Sequence, residues 1–309
     1  MTTFAVVGGG YRAQAYLRLA AQLDGLTCVG VLTRGMTLDG YRPDFVVTSV
    51  PHAVNPGIIA DAVARGLPVL SETPPGDEVP DSPLVQVAEQ YPLMPSHAAR
   101  LAVVRSGAIG TVTQAQVSST QYHHAVALIR AYLGAGRGPV TVRATRHEST
   151  LVNPLDRAGW TGDPDPRPVT TTIATLDFGG GRSGLYDFTD NQTRNQLRFR
   201  RVVARGSHGE LRDDEVVRLT GPRTIVRTPL VRHRRGQISL GDRVLYRNPY
   251  ASMRLNDDET ALATMLAAMA AWVHGDGPPP YPLADGLHDH LIGRAIAEAA
   301  ATGRVVTAG

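Results

Sequence analysis

The chain has 309 residues, of which 42% are hydrophobic and 19% are charged. This length is enough for two domains, and the composition is typical of a soluble globular protein rather than a disordered chain. The formal net charge is only +3 and no long run of like charge is present, so the sequence gives no indication of nucleic-acid binding.

Three features of the sequence bear on where the protein acts: its apolar runs, its N-terminal segment and its single cysteine. No apolar run approaches the roughly 20 residues of a membrane span, and no signal-peptide pattern precedes Gly8. Cys28 is the only cysteine, lies in an apolar segment and cannot form an internal disulfide, so it is expected to be a core residue. These features predict a cytoplasmic protein with no membrane contact.

The first part of the chain alternates short apolar runs with helical patterns. Helices are predicted from the glycine turn at Gly8–Gly10 through Leu23, and from Pro56 to Arg65. The apolar runs predict strands at 4–7, 28–32, 45–50 and 68–70. Short apolar strands alternating with helices predict a parallel sheet covered on both faces, as in a Rossmann-type domain.

The interval between the second and third strands is unusually short. Only the residues from Thr33 to Asp44 separate them, where a full Rossmann-type domain has room for another helix and strand. Twelve residues reach at most about 40 Å, enough to cross the sheet but not to include a regular helix. The sequence therefore predicts a shortened domain that lacks one βα unit at its edge.

The pattern changes after residue 110. A helix is predicted from His124 to Leu133, followed by several strands with no helix between them. These strands are expected at 140–145, 170–178, 183–189, 196–204 and 216–219. Consecutive strands joined by turns predict a large, mainly antiparallel open sheet, and two helices, 257–274 and 287–301, flank it. The predicted division is thus a nucleotide-binding domain, 1–110, and a substrate and oligomerisation domain, 111–309.

The glycine turn carries the first functional signal. Gly8-x-Gly10-x-x-Ala13, with Tyr11 and Arg12 inside the motif, follows a strand and opens a helix. Glycines in this context let the backbone approach a pyrophosphate, which binds the free N–H groups of the helix N-terminus. The alternative is a tight turn between strand and helix that binds no ligand.

The end of the second strand bears on the choice of cofactor. Dinucleotide folds that prefer NAD usually have an acidic residue there, whereas this chain has Thr33 and Arg34. An arginine can bind the 2′-phosphate of NADP, so NADP is favoured over NAD. The alternative is that Arg34 is a solvated residue of the shortened loop.

Several further motifs, in this order and spacing, resemble the Gfo/Idh/MocA family of nicotinamide-dependent oxidoreductases over nearly the whole chain. They are Val47-Thr48-Ser49-Val50-Pro51-His52 with Asn55, Ala62-x-x-x-Gly66-x-x-Val69-x-x-Glu72-Thr73-Pro74, Arg105-Ser106-Gly107-Ala108-Ile109-Gly110-Thr111-Val112, and His124-x-x-x-Leu128-Ile129-Arg130-x-x-Leu133-Gly134. The resemblance implies that Ser49, Pro51, His52, Asn55, Glu72 and Thr73 lie at the cofactor.

The resemblance also implies a catalytic histidine, and it shows where this chain departs from the family. His124 corresponds to the family's proton-transferring histidine, with Tyr122 and His123 as assisting groups. The family's Glu-Lys-Pro motif reads Glu72-Thr73-Pro74 here, and the chain contains no lysine. The family's two assisting aspartates are also missing, since their positions hold Thr120 and Ala127.

Other polar residues give weaker signals. By the same resemblance His97 is expected near the cofactor cleft, whereas His288 and His290 are expected on the surface. Trp160 lies in a proline-rich loop of the kind that often covers a cleft. The histidine spacing has no metal-motif regularity, so no metal site is expected.

The leading hypothesis is an NAD(P)-dependent oxidoreductase that transfers a hydride between NADP or NAD and a sugar, polyol or related small metabolite. The alternative is a catalytically degenerate binding or partner protein on the same scaffold, and a third hypothesis retains the dinucleotide for non-redox chemistry. The resemblance implies a homodimer or homotetramer formed through the sheet of the second domain.

Overall fold

The structure is a computed structural model that describes all residues, 1–309. Its strands are β1 (Thr2–Val7), β2 (Leu26–Leu32), β3 (Phe45–Thr48), β4 (Val69–Ser71), β5 (Val85–Val87), β6 (Val112–Ser118), β7 (Val140–Leu151), β8 (Arg167–Asp177), β9 (Ser183–Thr189), β10 (Arg201–Gly206), β11 (Gly209–Arg212), β12 (Glu215–Gly221), β13 (Thr224–Arg232), β14 (Ile238–Leu240), β15 (Arg243–Tyr246) and β16 (Val306–Ala308). Its α-helices are α1 (Tyr11–Ala20), α2 (Asn55–Ala64), α3 (Pro95–Arg105), α4 (Tyr122–Leu133), α5 (Asp257–Val273) and α6 (Leu283–Thr302). Single turns of 3-10 helix lie at Tyr91–Leu93 and Arg234–Gly236.

The chain forms two units, and the first is discontinuous in sequence. The first unit is Met1–Pro95 with Asn248–Leu287, and the second is Ser96–Arg247 with His288–Gly309. The first unit includes α5 because buried side chains of that helix, such as Leu262 and Met269, share a core with Tyr16 of α1. The boundaries of these units differ from the predicted domain boundary between residues 110 and 111. The predicted boundary concerns functional domains and stays a prediction.

The first unit is built on a five-stranded sheet in the order β2-β1-β3-β4-β5. Every neighbouring pair is parallel, with Val7 opposite Leu32 on one side and Thr48 on the other. Apolar clusters cover both faces, one shared with α1 and α5 and the other with α2. The predicted parallel sheet is confirmed.

The residues between β2 and β3 contain no helix or strand, as the sequence predicts. The chain passes from the edge strand β2 across β1 to β3 within this interval, and Leu38 packs into the core on the way. The shortened Rossmann-type domain is therefore confirmed. The loop that replaces the missing βα unit lies beside the carboxyl end of β2.

The second unit is built on an eleven-stranded sheet in the order β15-β14-β13-β12-β11-β10-β6-β9-β8-β7-β16. Only β6 and β9 pair in parallel, and the remaining neighbours are antiparallel. The predicted mainly antiparallel open sheet is confirmed. Helix α4 contacts β6 and β9 near the middle of this sheet.

Several element bounds differ from the sequence-based prediction. The strand predicted at 196–204 is wrong in its first half, because β10 begins at Arg201. The preceding residues form a turn in which the Asn195 side chain accepts a hydrogen bond from the backbone N–H of Leu197, at 2.9 Å. Seven elements were not predicted from the sequence: α3, β5, β11, β13, β14, β15 and β16. None of the helices is both long and apolar enough to cross a membrane.

Candidate functional site

The turn between β1 and α1 has two glycines with different structural requirements. Gly8 has a φ of +131°, and a Cβ placed on it would lie 2.1 Å from the carbonyl oxygen of Ser49, so the fold excludes any side chain there. Gly10 has a φ of −77°, and an added Cβ would meet no protein atom within 4 Å. The fold does not require glycine at residue 10, and the space beside it is open to a ligand.

The N-terminus of α1 faces this open space. Gly10 is the N-cap residue, and neither a capping side chain nor an acidic residue of the first turn satisfies the N–H groups at the start of this ten-residue helix. Free N–H groups and the helix dipole together favour an anion at such a terminus. The turn therefore has the geometry and the charge that a phosphate group requires.

A cavity of about 1030 Å³ lies at the carboxyl ends of β1, β2 and β3. Its volume is at the upper end of the range usual for small-molecule sites. Six of the residues predicted to bind cofactor line it: Gly8, Gly10, Thr33, Arg34, Ser49 and Pro51. A wall that was not predicted from the sequence comes from α2 and the residue that caps its C-terminus; it includes Gly57, Ile58, Asp61 and Arg65.

The charged residues around this cavity leave one arginine without an ion pair. Arg65 binds Asp39 through Nη1 at 2.7 Å and Asp61 through Nε at 3.0 Å, so both nearby carboxylates share this one guanidinium. The hydrogen bond from Arg65 also lowers the pKa of Asp39. Arg34 is exposed and forms no ion pair. The rim of the cavity thus carries a positive charge at Arg34.

The residues present fit a dinucleotide in this cavity. The backbone at Gly10 lets a phosphate approach, the N-terminus of α1 offers N–H donors, and the strand ends supply the walls. The crevice at the carboxyl ends of parallel strands is also where open α/β sheets bind nucleotides.

Seven other predicted cofactor residues do not line the cavity: Tyr11, Arg12, Ala13, His52, Asn55, Glu72 and Thr73. Tyr11 is exposed, Ala13 is fully buried against the sheet, and His52 is exposed in the turn before α2. Asn55 is buried, and its Nδ2 donates hydrogen bonds to Ser71 Oγ at 2.8 Å and to a backbone carbonyl at 2.9 Å. The side chain of Asn55 therefore ties α2 to the end of β4.

A polar network lies beside the turn, and most of its contacts join residues that are far apart in the sequence. The hydroxyl of Tyr16 donates to Oε1 of Glu72, and Nε of Arg12 lies 3.5 Å from Oε2 of the same carboxylate. Nη1 of Arg12 also binds Asp258 at 2.6 Å, and Gln90 donates to the other oxygen of Asp258 at 3.1 Å. Arg12 is thus held by two carboxylates. No local sequence signal connects Arg12 to Asp258.

Glu72 has an unusual ionisation in this network. Burial raises the pKa of its carboxyl to about 7, although the positive charge of Arg12 and the hydrogen bond from Tyr16 both act to lower it. Burial alone would lower the pKa of Arg12, but the charges of Glu72 and Asp258 hold it above its ordinary value. Glu72 can therefore gain or lose a proton near neutral pH, while Arg12 stays charged.

Thr73 follows Glu72 and is partly buried. The peptide bond between Thr73 and Pro74 is cis. A threonine hydroxyl can form a hydrogen bond but cannot supply a positive charge. The cation beside Glu72 is therefore Arg12, from a different element of the same unit.

In the second unit the predicted catalytic residues begin α4. Tyr122 has a φ of +40°, a strained conformation for a residue with a side chain, and its N–H donates to the hydroxyl of Tyr186 at 3.3 Å. The two tyrosine rings stack with centroids 5.8 Å apart. Burial raises the pKa of Tyr186, so this hydroxyl stays protonated. The contact fixes the direction in which α4 starts.

The structure brings three histidines together at this helix start. The ring centroids of His123 and His124 are 4.2 Å apart, and those of His123 and His290 are 6.3 Å apart. All three are partly exposed. His290 was expected on the surface, and it joins the cluster because α6 packs against the start of α4. Thr120 and Ala127, at the positions where the resemblance implies aspartates, are both buried.

The structure shows the surroundings of three residues that gave weaker signals, His97, His288 and Trp160. Nδ1 of His97 lies 3.0 Å from the hydroxyl of Tyr132. Burial is the main cause that lowers the pKa of His97 to about 3, and the positive charges of Arg100 and Arg200 lower it further. His97 is therefore a neutral core residue of the second unit. The predicted surface position of His288 is wrong, because this part of α6 is buried where the adjacent Asp289 binds Arg130 of α4 at 2.6 Å. Trp160 is 76% exposed.

Comparisons with known proteins give fold similarity alone. The chain matches no protein-family model and no curated protein. An oxidoreductase from Agrobacterium radiobacter, solved with NAD+, L-tartaric acid and magnesium, has a TM-score of 0.70 at 17% identity and covers 99% of this chain and 98% of its own. A myo-inositol dehydrogenase from Corynebacterium glutamicum has a TM-score of 0.67 at 19% identity, with coverage of 99% and 98%.

A levoglucosan dehydrogenase in complex with NADH and levoglucosan has a TM-score of 0.66 at 17% identity and covers 99% of both chains. These values show that the chain has the two-part fold of such dehydrogenases along its whole length. At this sequence identity the similarity shows a shared fold and by itself says nothing about the activity.

Proposed function

We propose that the protein is a nicotinamide-dependent oxidoreductase that binds its dinucleotide in the first unit, as a divergent member of the Gfo/Idh/MocA family. The observation that carries the proposal is the cavity at the strand ends, with an uncapped helix N-terminus at Gly10 on its border. Solved dehydrogenases with the same fold, described as complexes with NAD+ or NADH, support it.

NADP is the proposed dinucleotide in preference to NAD. Arg34 lines the cavity and has no carboxylate partner, while the carboxylates of Asp39 and Asp61 both pair with Arg65. A 2′-phosphate beside Arg34 would gain a charge-assisted hydrogen bond, whereas no acid at the end of β2 is placed to accept the hydroxyl of NAD.

His124 is the proposed acid–base group, with Tyr122 and His123 assisting. The bound cofactor supplies or accepts a hydride at its nicotinamide ring. The chain must then take up or release the proton of the substrate hydroxyl, which an imidazole can do near neutral pH. The strained start of α4, fixed by Tyr186, orients the histidines. A sugar, polyol or related small metabolite is the proposed substrate class.

Titration with NADPH and with NADH, followed by nicotinamide fluorescence, tests the proposal directly. Binding of NADPH with a lower dissociation constant than NADH is expected. Failure of both to bind at millimolar concentration would reject the oxidoreductase function. Binding without turnover on a panel of sugars and polyols would instead indicate a degenerate binding protein. The proposed homodimer or homotetramer is tested separately by light scattering.

A further inference from the structure

Glu72 has a single ion-pair partner, and that partner comes from the first turn of α1. Arg12, two residues after Gly10, places Nε 3.5 Å from Oε2 of Glu72. The residue that follows Glu72 in sequence is Thr73, which carries no charge. The side chains of Arg12 and Glu72 are only 25% and 16% exposed, so solvent screens their interaction weakly.

The other titratable groups around Glu72 do not stabilise its negative charge as a cation would. From α1, Tyr16 donates a hydrogen bond; from α5, Asp258 contributes a negative charge; and from the segment after β5, Glu89 contributes another. Two carboxylates and burial thus oppose the ionisation of Glu72. Arg12 is the group that offsets them, and it also binds Asp258.

The position of Arg12 connects three elements of the first unit. It lies in the first turn of α1, its partner Glu72 follows β4, and Asp258 lies in the first turn of α5. Helix α5 is fixed at that end by a capping box between Asn256 and Glu259. The guanidinium therefore fixes the end of β4 relative to the turn that borders the cavity.

We propose that Arg12 is a positioning residue of the dinucleotide site, whose guanidinium supplies the positive charge beside Glu72 that Thr73 does not. The cation beside this carboxylate therefore lies in the first turn of α1 and not in the loop after β4. The effect on the dinucleotide rests on the proposed function. The coupling between Arg12 and Glu72 does not, and it is measurable without any ligand.

A series of variants that removes the positive charge at residue 12 and places one at residue 73 tests the coupling in the intact chain. The series is Arg12→Met, Arg12→Met with Thr73→Lys, and Arg12→Met with Thr73→Met, each also made with Glu72→Gln. The free energy of unfolding is measured against pH, and the Glu72→Gln partner isolates the titration of Glu72. Methionine at residue 73 is the matched control, because it has nearly the length of lysine without its charge.

Arg12→Met is expected to move the titration of Glu72 to higher pH, because the remaining carboxylates are then unopposed. Thr73→Lys should move it back toward the wild-type value, and Thr73→Met should not. An unchanged titration in Arg12→Met, or equal recovery by methionine and lysine, would overturn the proposal. If Arg12→Met does not fold, recovery of folding by Thr73→Lys but not by Thr73→Met supports it, and the reverse rejects it.

NADPH affinity gives the second readout. Arg12→Met is expected to weaken NADPH binding by about tenfold at pH 8, because the end of β4 is then no longer held to the first turn of α1, and Thr73→Lys should restore it. Unchanged NADPH affinity in Arg12→Met would reject the positioning role. If the wild-type protein binds neither dinucleotide, the proposed function fails, while the titration series still decides whether Arg12 and Glu72 are coupled.

Discussion

The hydroxyl of Tyr16 donates a hydrogen bond to the carboxylate of Glu72, although the two residues are 56 positions apart in the chain. Tyr16 is fully buried, and burial with the nearby charge of Glu72 raises the pKa of its hydroxyl, which therefore remains a donor. The contact joins α1 to the end of β4. It makes Glu72 an acid whose ionisation is linked to the stability of the first unit.

The stability of the protein is expected to depend on pH through Glu72. Its pKa is raised from 4.5 to about 7 in the folded state, so its contribution is fully present below pH 4.5 and is lost as the pH rises through 7. The loss is on the order of 3 kcal/mol. Urea unfolding at pH 5 and pH 8 should show this decrease in the wild type and not in Glu72→Gln. Parallel pH profiles would contradict the assignment.

Gly8→Ala is expected to lower the stability of the protein, whereas Gly10→Ala is expected to weaken dinucleotide binding. Alanine at residue 8 would place its Cβ against the carbonyl oxygen of Ser49, and the backbone of residue 8 has a positive φ that favours glycine. The free energy of unfolding should therefore fall by about 1–3 kcal/mol or more. Alanine at residue 10 meets no protein atom and should leave stability unchanged while weakening NADPH binding. Thermal unfolding and fluorescence titration measure the two effects. Undiminished NADPH affinity in Gly10→Ala would argue against a phosphate at this turn.

Arg34→Ala is expected to weaken NADPH binding about ten- to a hundredfold and to leave NADH binding unchanged, because only NADPH offers a 2′-phosphate. Arg42→Ala is the matched control, since Arg42 is also an exposed arginine of the shortened loop but does not line the cavity. Dissociation constants from fluorescence titration provide the comparison. Equal losses for both dinucleotides would reject the preference for NADP.

His124→Gln is expected to lower turnover about 10²–10⁴-fold on any substrate found, without changing the NADPH dissociation constant. Glutamine keeps a hydrogen-bonding side chain but cannot exchange the proton. His147→Gln, at an exposed position of β7, is the control and should retain full turnover. Absorbance of the reduced cofactor reports the rate. Full turnover in His124→Gln would assign the proton transfer to another group.

Asp289→Asn is expected to lower the free energy of unfolding by about 3–5 kcal/mol, because it leaves Arg130 charged and buried. Asp163→Asn removes the partner of Arg167 in an exposed pair and should cost at most about 1 kcal/mol. Chemical unfolding of the two variants at neutral pH compares them. Similar costs would mean that the Arg130–Asp289 pair is effectively solvated.

Local sequence was sufficient to predict the framework. The glycines at residues 8 and 10 marked the turn between β1 and α1, since turn geometry depends on a few adjacent residues. The interval from Thr33 to Asp44 was too short for a βα unit, which predicted the shortened sheet. By contrast, β5 was not predicted, because its three residues are too few to show a repeating pattern of hydrophobic residues.

The sequence by itself determined the two kinds of sheet, the glycine turn and the absence of a lysine beside Glu72, because these depend on residue type and short spacing. Only the tertiary structure decided which groups meet the buried charges. Arg12 lies 246 residues from Asp258, and Arg130 lies 159 residues from Asp289. A buried charge must find a partner, but which distant side chain supplies it depends on how the helices and strands pack together.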